Sequence, residues 1–354
     1  MKRSSVRARI RQLCGLGVPG ELLMVPLLPA LRELIPSDLA GFFWVDACGE
    51  IRNLYAERLP PPELSPTFRG SNAADCESVF RASFVACAEA PDQITSINAS
   101  SDGDHVLCAI ARTDAKAFGQ LRLYRRADMG PFGERERADL ASVMHYVAQG
   151  VAGCGKRLRD DQLAFAYEDS DEEAMIVTDC SGTIHFASDK GLQLLLLATV
   201  REINPSTLQW SISEGATRAI KVLCSRLTSS SRGAELPPPT ITLDSTWGRF
   251  VLRGYRLSDG RRGEARIGLR IQRQMPMILR FVEAMGRQAL SPQQREMALQ
   301  IALGRSNQEI SAHMGVSLNT VAYHIKQLFL RLNVHTRTEA IEKIAWRETE
   351  MEAG

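Results

Sequence analysis

Apolar positions recur at helical spacing through the last sixty residues, interrupted at intervals by residues that end helices. Ser291 precedes Pro292 and lies three residues before Gln294. That order supplies an N-cap hydroxyl, a proline at the first helical position and a capping-box partner. The helix it opens carries Met297 and Ile301 inward and stops at Gly304, a residue suited to the left-handed conformation past a helix end. Asn307 is placed to cap a second helix, Gln308 to Met314, which ends at Gly315. Ser317 caps a third, running to about Leu332, and a fourth spans about Thr338 to Arg347. The short turn Met314-Gly315-Val316-Ser317 makes the second and third a helix-turn-helix.

Angular position separates two faces of the third helix. At about 100° per residue, Val321, Ile325, Leu328 and Leu332 share one stripe. Asn319, Tyr323, Lys326 and Gln327 lie opposite. In a packed trihelical unit the polar face is free to enter a DNA groove, where such helices read base edges and hold phosphates. Asn319 and Gln327 suit base edges or phosphates, Tyr323 a thymine methyl or a phosphate, and Lys326 a phosphate. Leu330 also points outward, against the fourth helix or a partner subunit.

Upstream, the pattern changes to short alternating runs. Phe43-Trp-Val-Asp46-Ala-Cys-Gly49-Glu-Ile51 and Met175-Ile-Val-Thr-Asp179-Cys-Ser-Gly182-Thr-Ile184 share D-x-x-G-x-I after an apolar run. Each reads as strand, tight turn, strand, with Asp opening the turn and Gly supplying positive φ. The repeat predicts two related α/β modules, residues 1–155 and 156–273, followed by a linker helix at 274–289 and the helix-turn-helix domain at 290–348. The first module has helices near Glu21–Leu34 and Cys76–Glu89, strands at Val106–Ala111 and Phe118–Tyr124, and a long helix from Glu134 burying Leu140, Val143, Met144 and Val147. Gly150, Gly153 and Gly155 at its far end suggest a hinge. The second has helices at Asp189–Ala198 and Ala216–Leu227, a loop from Ser229 to the Pro237 triplet, and strands at Ile241–Asp244, Arg249–Arg256 and Ala265–Gln272. The fold class is therefore α+β and multidomain.

Composition narrows the field. Hydrophobic residues make up 44% of the 354, enough for ordinary cores, and the formal charge is only +2. Basic character is local: five Lys/Arg and no acid in residues 2–11, and an Arg-rich stretch Arg261–Arg287 that could add phosphate contacts. No apolar h-region of the right length follows the basic N-terminus cleanly, and the most apolar run, Leu192 to Val200, is too short to cross a bilayer, which points to a cytoplasmic protein with no membrane partner. The eight cysteines, Cys14, Cys48, Cys76, Cys87, Cys108, Cys154, Cys180 and Cys224, include no C-x-x-C pair and no metal-ligand spacing. Neither a metal nor a cofactor is implied. Gly15-Leu-Gly-Val-Pro-Gly20 matches G-x-G-x-x-G, but a helix precedes it where a dinucleotide site needs a strand, so it reads as an interhelical loop. Asp102 and Asp104 in Ser-Asp-Gly-Asp-His read as a solvated turn.

The stretch Leu290–Trp346 resembles the LuxR-type (NarL/FixJ-type) DNA-binding domain. The matching residues are LSPQQRE at the first helix, G-x-S-N-x-E-I at Gly304–Ile310, G-V-S-x-x-T-V-x-x-H at Gly315–His324 and R-L-x-V-x-x-R-x-E-A at Arg331–Ala340. The resemblance implies an all-α tetrahelical domain that binds double-stranded DNA, usually as a pair. It implies a structural role for Glu296, places Thr320 and His324 near the DNA backbone, and places Tyr323 and Lys326 toward the groove. The expected contact set is Asn307, Ser317, Asn319, Thr320, Tyr323, His324, Lys326, Gln327, Arg331 and Arg337. Family members often carry Lys where this chain has Ala322, which removes one contact; Arg305, Arg331 and Arg337 could compensate. The family's dimer contact falls on the fourth helix, with Ile341, Ile344 and Ala345 as an apolar seam or as closure of the core.

More loosely, the first module resembles a GAF domain and the second a PAS domain, folds that hold a small molecule or serve only to dimerise. Trp44, Phe84, His185 and Trp247 are candidate pocket residues. Together these features suggest a homodimeric transcription regulator governed by a signal at its N-terminal modules. A ligand-independent regulator, or a signalling enzyme ending in a docking module, is the alternative. No catalytic constellation stands out, and neither the receiver-domain order of acidic residues and Lys nor the aromatic cluster of acyl-homoserine-lactone receptors is present.

Overall fold

The structure is a computed structural model, and it describes residues 3–59, 73–98, 104–114, 116–153, 166–208, 213–229, 237–257 and 266–345. Asp102, Cys154, Gly155, the start of the Arg261–Arg287 stretch, most of the Ser229 loop and the end of the fourth helix at Arg347 lie outside the described residues, as does the side chain of Cys76. Packing divides the chain into two units. One comprises Met1–Pro36, Ser142–Glu168 and Pro276–Gly354; the other comprises Ser37–Ala141 and Asp169–Met275.

The helical unit begins with α1 (Arg3–Cys14) and α2 (Gly20–Leu34). The glycine-rich motif is the loop between them, as its flanking helices require. Two prolines inside α2, Pro26 and Pro29, remove helical hydrogen bonds. Complete burial of Leu27, Leu28 and Leu31 offsets that loss.

The second unit holds two sheets. The first contains β1 (Leu39–Val45), β2 (Ile51–Ala56), β3 (Ile94–Asn98), β4 (His105–Arg112) and β5 (Ala117–Arg125), with α3 (Ala73–Glu89) inserted before β3. Next in the chain comes α4 (Glu134–Ala152). The second sheet contains β6 (Tyr167–Asp179), β7 (Ile184–Ala187), β8 (Thr240–Ser245), β9 (Gly248–Leu257) and β10 (Arg266–Pro276). Between β7 and β8 lie α5 (Asp189–Thr199), α6 (Pro205–Leu208) and α7 (Glu214–Ser229).

The internal repeat is real at the level of topology. The strand orders are β2-β1-β5-β4-β3 and β7-β6-β10-β9-β8, the same arrangement twice. Both hairpins shift register just before the turn aspartate, at Trp44/Val45 and at Val177/Thr178. Asp46 Oδ1 accepts from Cys48 N (2.8 Å) and Glu50 N (3.0 Å), and Gly49 has φ +80°. Asp179 Oδ1 accepts from Ser181 N and Thr183 N, both at 2.9 Å, and Gly182 has φ +90°. These bonds hold both carboxyls below the usual carboxylate range, that of Asp46 chiefly through the Glu50 amide and that of Asp179 chiefly through the Ser181 hydroxyl.

The two sheets are joined within their unit. Trp247 is fully buried, stacks on Tyr55 (5.5 Å) and meets Trp44 edge-on (6.1 Å). Asn53 Oδ1 accepts from Ile203 N at 2.8 Å, and Gln193 Nε2 donates to Ala56 O at 3.3 Å. Arg273, fully buried, donates to Glu172 and to the Trp247 carbonyl and faces the Phe250 ring. Trp44 and Trp247 therefore form an intersheet seam and not a pocket wall. Phe84 stacks on Phe80, and His185 lies exposed on β7 against Asp179 (3.3 Å).

Three expectations are refined. Gly150 is no hinge: it sits inside α4, where a Cβ would lie 3.1 Å from the Cys14 backbone and 2.8 Å from Leu23, so it permits close helix packing. The helix expected at 274–289 is α8 (Met277–Arg287), and it buries Ile278, Phe281, Val282 and Met285 completely in the helical unit. Three described arginines of the Arg-rich stretch are committed internally: Arg270 pairs with Glu173, Arg273 with Glu172 and Arg280 with Glu168.

Candidate nucleic-acid interface

The chain ends in α9 (Pro292–Ala302), α10 (Asn307–Met314), α11 (Leu318–Leu332) and α12 (Arg337–Ala345). Their ends are set by local side-chain chemistry. Ser291 Oγ accepts from Gln294 N (3.2 Å), while Gln294 Oε1 accepts from Ser291 N (2.9 Å). The cap of α10 is Ser306, not Asn307. Ser306 and Glu309 form a second capping box, with Glu309 Oε2 accepting from Ser306 N at 2.8 Å. That bond holds the Glu309 carboxyl below its ordinary value. The signal S-x-x-E was present in the sequence; Asn307 instead occupies the first helical position. Gly315 closes α10 with φ +64°, and Ser317 Oγ accepts from Thr320 N at 3.1 Å to open α11.

The third of these helices, α11, divides as its periodicity predicts. Val321, Leu328 and Leu332 are buried, and Ile325 is half-buried. Asn319, Tyr323 and Lys326 are exposed, Tyr323 to 60%. Gln327 and His324 are half-buried, His324 against the Tyr323 ring at 5.6 Å. No acidic residue occurs between Leu318 and Leu332, so no carboxylate on this helix repels a phosphate.

Other expected contacts have structural work in this state. The hydroxyls of Ser317 and Thr320 bond each other at 2.8 Å. Arg337 donates to Arg305 O (2.5 Å) and Asn307 Oδ1 (2.6 Å), tying α12 to the start of α10. Arg331, exposed, donates to Ala289 O at 3.2 Å. Leu330 is 65% exposed. It borders a groove of about 470 Å³ with Ala322, Ile325, Lys326 and Phe329, a feature missed in the sequence although the outward Leu330 hinted at it. Ile344 of the expected dimer seam is buried within its own chain, closing the helical core.

The profile of the bacterial regulatory proteins of the luxR family matches residues 288–344. Those residues are a LuxR-family domain. The HTH-type transcriptional regulator YhjB of Escherichia coli (strain K12) is 42% identical over 52 residues, which are 15% of this chain and 26% of that protein. The transcriptional regulatory protein SgaR of Hyphomicrobium methylovorum is 39% identical over 54 residues, with the same shares. The chain thus spans about a quarter of the length of these curated relatives. A solved structure, the E. coli DhaR(N)–DhaL complex, aligns over 77% of this chain and 90% of that chain at 11% identity, but its TM-score of 0.21 is too low to bear on the fold.

Elsewhere, no group of three His, Cys, Asp or Glu among the described residues is placed to hold a metal, and no described helix is long and apolar enough to cross a membrane. Cys14, Cys87, Cys108 and Cys224 are buried, and Cys48 and Cys180 exposed. Burial pushes the Cys14 thiol up to about 12 and raises Cys87 and Cys224, which disfavours the reactive thiolate.

Proposed function

We propose that the protein is a sequence-specific DNA-binding transcription regulator in which α11 enters the major groove. The observation that carries this is the polar, acid-free outer face of α11, with Asn319, Tyr323 and Lys326 exposed on a helix whose other side is locked into the core. In this reading Asn319 and Tyr323 meet base edges, while Lys326, His324 and Arg331 meet phosphates. Gln327 reaches DNA only from a half-buried position, and Asn307, Ser317, Thr320 and Arg337 chiefly hold the reading head in shape. A single domain with so few contacts binds weakly, so two copies act together on paired half-sites. The two-sheet unit adjusts their presentation by favouring one arrangement when a signal is bound. The first experiment is a salt titration of DNA affinity. Lys326→Ala should weaken binding to all sequences alike and lower the slope of log K against log salt by about one. An unchanged slope would remove Lys326 from the interface. Signal control fails if no solution condition or added small molecule changes the DNA affinity of the intact dimer.

A further inference from the structure

We propose that the N-terminal helix α1, which lies outside the family match, extends the DNA-contacting surface by holding backbone phosphates through Arg11, beside Arg305. The inference rests on the reading of α11 as the helix that enters DNA.

The basic run at the start of the chain is ordered on one side of a helix. Within α1, Arg3, Arg7 and Arg11 recur every fourth residue, so they share a face, and the helix holds no acid. Arg7 and Arg11 are exposed. Arg9, off that face, is tied instead to Glu33.

Two contacts set α1 against the LuxR-family domain within the helical unit. Arg295 of α9 donates to Ser5 Oγ. Arg11 and Gln12 line one cavity with Arg305, His313 and Met314, so the end of α1 stands beside the turn that leads into α10. That turn connects to the α11 side of the domain. Arg337 Nη1 donates to the Arg305 carbonyl (2.5 Å), and its Nη2 donates to Asn307 Oδ1 (2.6 Å). Asn307 in turn lines the groove bordered by Ala322, Lys326 and Leu330. Arg11, Arg305, Arg337 and Lys326 therefore succeed one another from α1, through the start of α10, to α11.

The charge of Arg11 and Arg305 has no internal use: neither makes an ion pair with another described residue. The nearby acids are engaged elsewhere. Glu296 Oε1 accepts from Gln300 Nε2 (2.7 Å) and faces His313 Nε2 (3.4 Å), and Glu309 Oε2 accepts from Ser306 N (2.8 Å). A guanidinium offers paired donors to phosphate oxygens. Helix-turn-helix domains hold the DNA backbone with residues that flank the reading helix, and here the flank gains a helix from the other end of the sequence.

Salt titrations of the full chain on a long random-sequence duplex test this, with Lys326→Ala as the reference for α11. Arg11→Gln and Arg305→Gln should each lower the slope of log K against log salt by about one, and weaken binding about five- to tenfold at about 0.1 M salt. Arg11→Lys keeps the charge and should keep the slope, whereas a packing role for the guanidinium would leave the slope indifferent to either change. Arg11 is exposed and glutamine is a good helix former, so the variants should fold, as circular dichroism checks. An unchanged slope in Arg11→Gln, with Lys326→Ala lowering it, overturns the role of α1 and leaves the reading of α11 standing. An unchanged slope in both, or no DNA binding by the full chain, overturns the two together.

Discussion

Arg273→Met tests whether one buried cation holds the core of the second sheet together where it meets Tyr55 of the first, 3.5 Å from Arg273 Nη1. The guanidinium donates to Glu172 Oε2 at 2.7 Å through Nη1 and to the Trp247 carbonyl at 3.0 Å through Nε. Methionine matches the length and apolar stem but leaves Glu172 facing one cation, Lys190, and leaves a buried carbonyl short of donors. Breaking a buried pair costs about 3–5 kcal/mol. Because Lys190 is part-exposed and remains as a partner, the lower half of that range, about 3–4 kcal/mol, is expected, against a total stability of about 5–15 kcal/mol. The loss also has a pH signature. Burial pushes the Glu172 carboxyl up, but Arg273 and Lys190 outweigh it and hold the group below its ordinary value. A depressed folded pKa contributes stability that is complete above the unfolded value, about 4.3, and is lost as pH falls through the folded value. Urea unfolding at pH 7 and pH 4, followed by tryptophan fluorescence and circular dichroism, measures both effects. The gap between wild type and variant should be large at pH 7 and should narrow at pH 4 and below. A gap under about 1 kcal/mol at pH 7, or one that stays constant with pH, refutes the assigned role.

Three further changes probe other parts of the account. Gly119→Ala would place a Cβ 2.2 Å from the Phe43 carbonyl oxygen on the neighbouring strand, so β1 and β5 must separate; a loss of at least about 1–3 kcal/mol is expected in denaturant unfolding, and a neutral result would contradict the close strand approach. Ser306→Ala removes one half of the α10 capping box and should cost about 1 kcal/mol in a thermal melt, whereas Asn307→Ala should leave the α10 cap intact; the reverse order would return the cap to Asn307. Ala322→Lys restores a cation on the exposed face of α11 and should raise DNA affinity and steepen its salt dependence by about one unit, with no change expected if that position faces away from the phosphates.

What could be read in the sequence was what neighbouring residues decide. The serine caps at Ser291 and Ser317, the left-handed glycines Gly304 and Gly315, and the turn aspartates Asp46 and Asp179 each bond backbone within four residues, so a short window contains their cause. The stripe on α11 was legible for the same reason. Features that depend on distant partners were not. The first half of β6, with Glu168, Asp169, Asp171, Glu172 and Glu173, has no apolar alternation to mark it as a strand. It becomes a strand because it lies beside basic β10, where Arg270, Arg273 and Gln274 meet Glu173, Glu172 and Asp169. The short β3 has no strong local signal, and its pairing with β4 is its main support. Gly150 suggests a hinge from its neighbours alone, whereas its role comes from the helices it brings together. In the candidate interface, the exposed residues of α11 were foreseen, while the commitment of Arg337 and Asn307 to each other follows from a fold-level contact thirty residues apart.

The central claim is that α11 reads DNA, and genomic-fragment capture by the purified full chain tests it most directly, with Tyr323→Ala/Lys326→Ala, two exposed positions outside the core, as the control. The account predicts enrichment of a pseudo-palindromic site whose half-sites lie about one helical turn apart, or a multiple of it, and loss of that enrichment in the control. Fragments captured equally well by the wild type and the double variant, with both proteins folded, would contradict it.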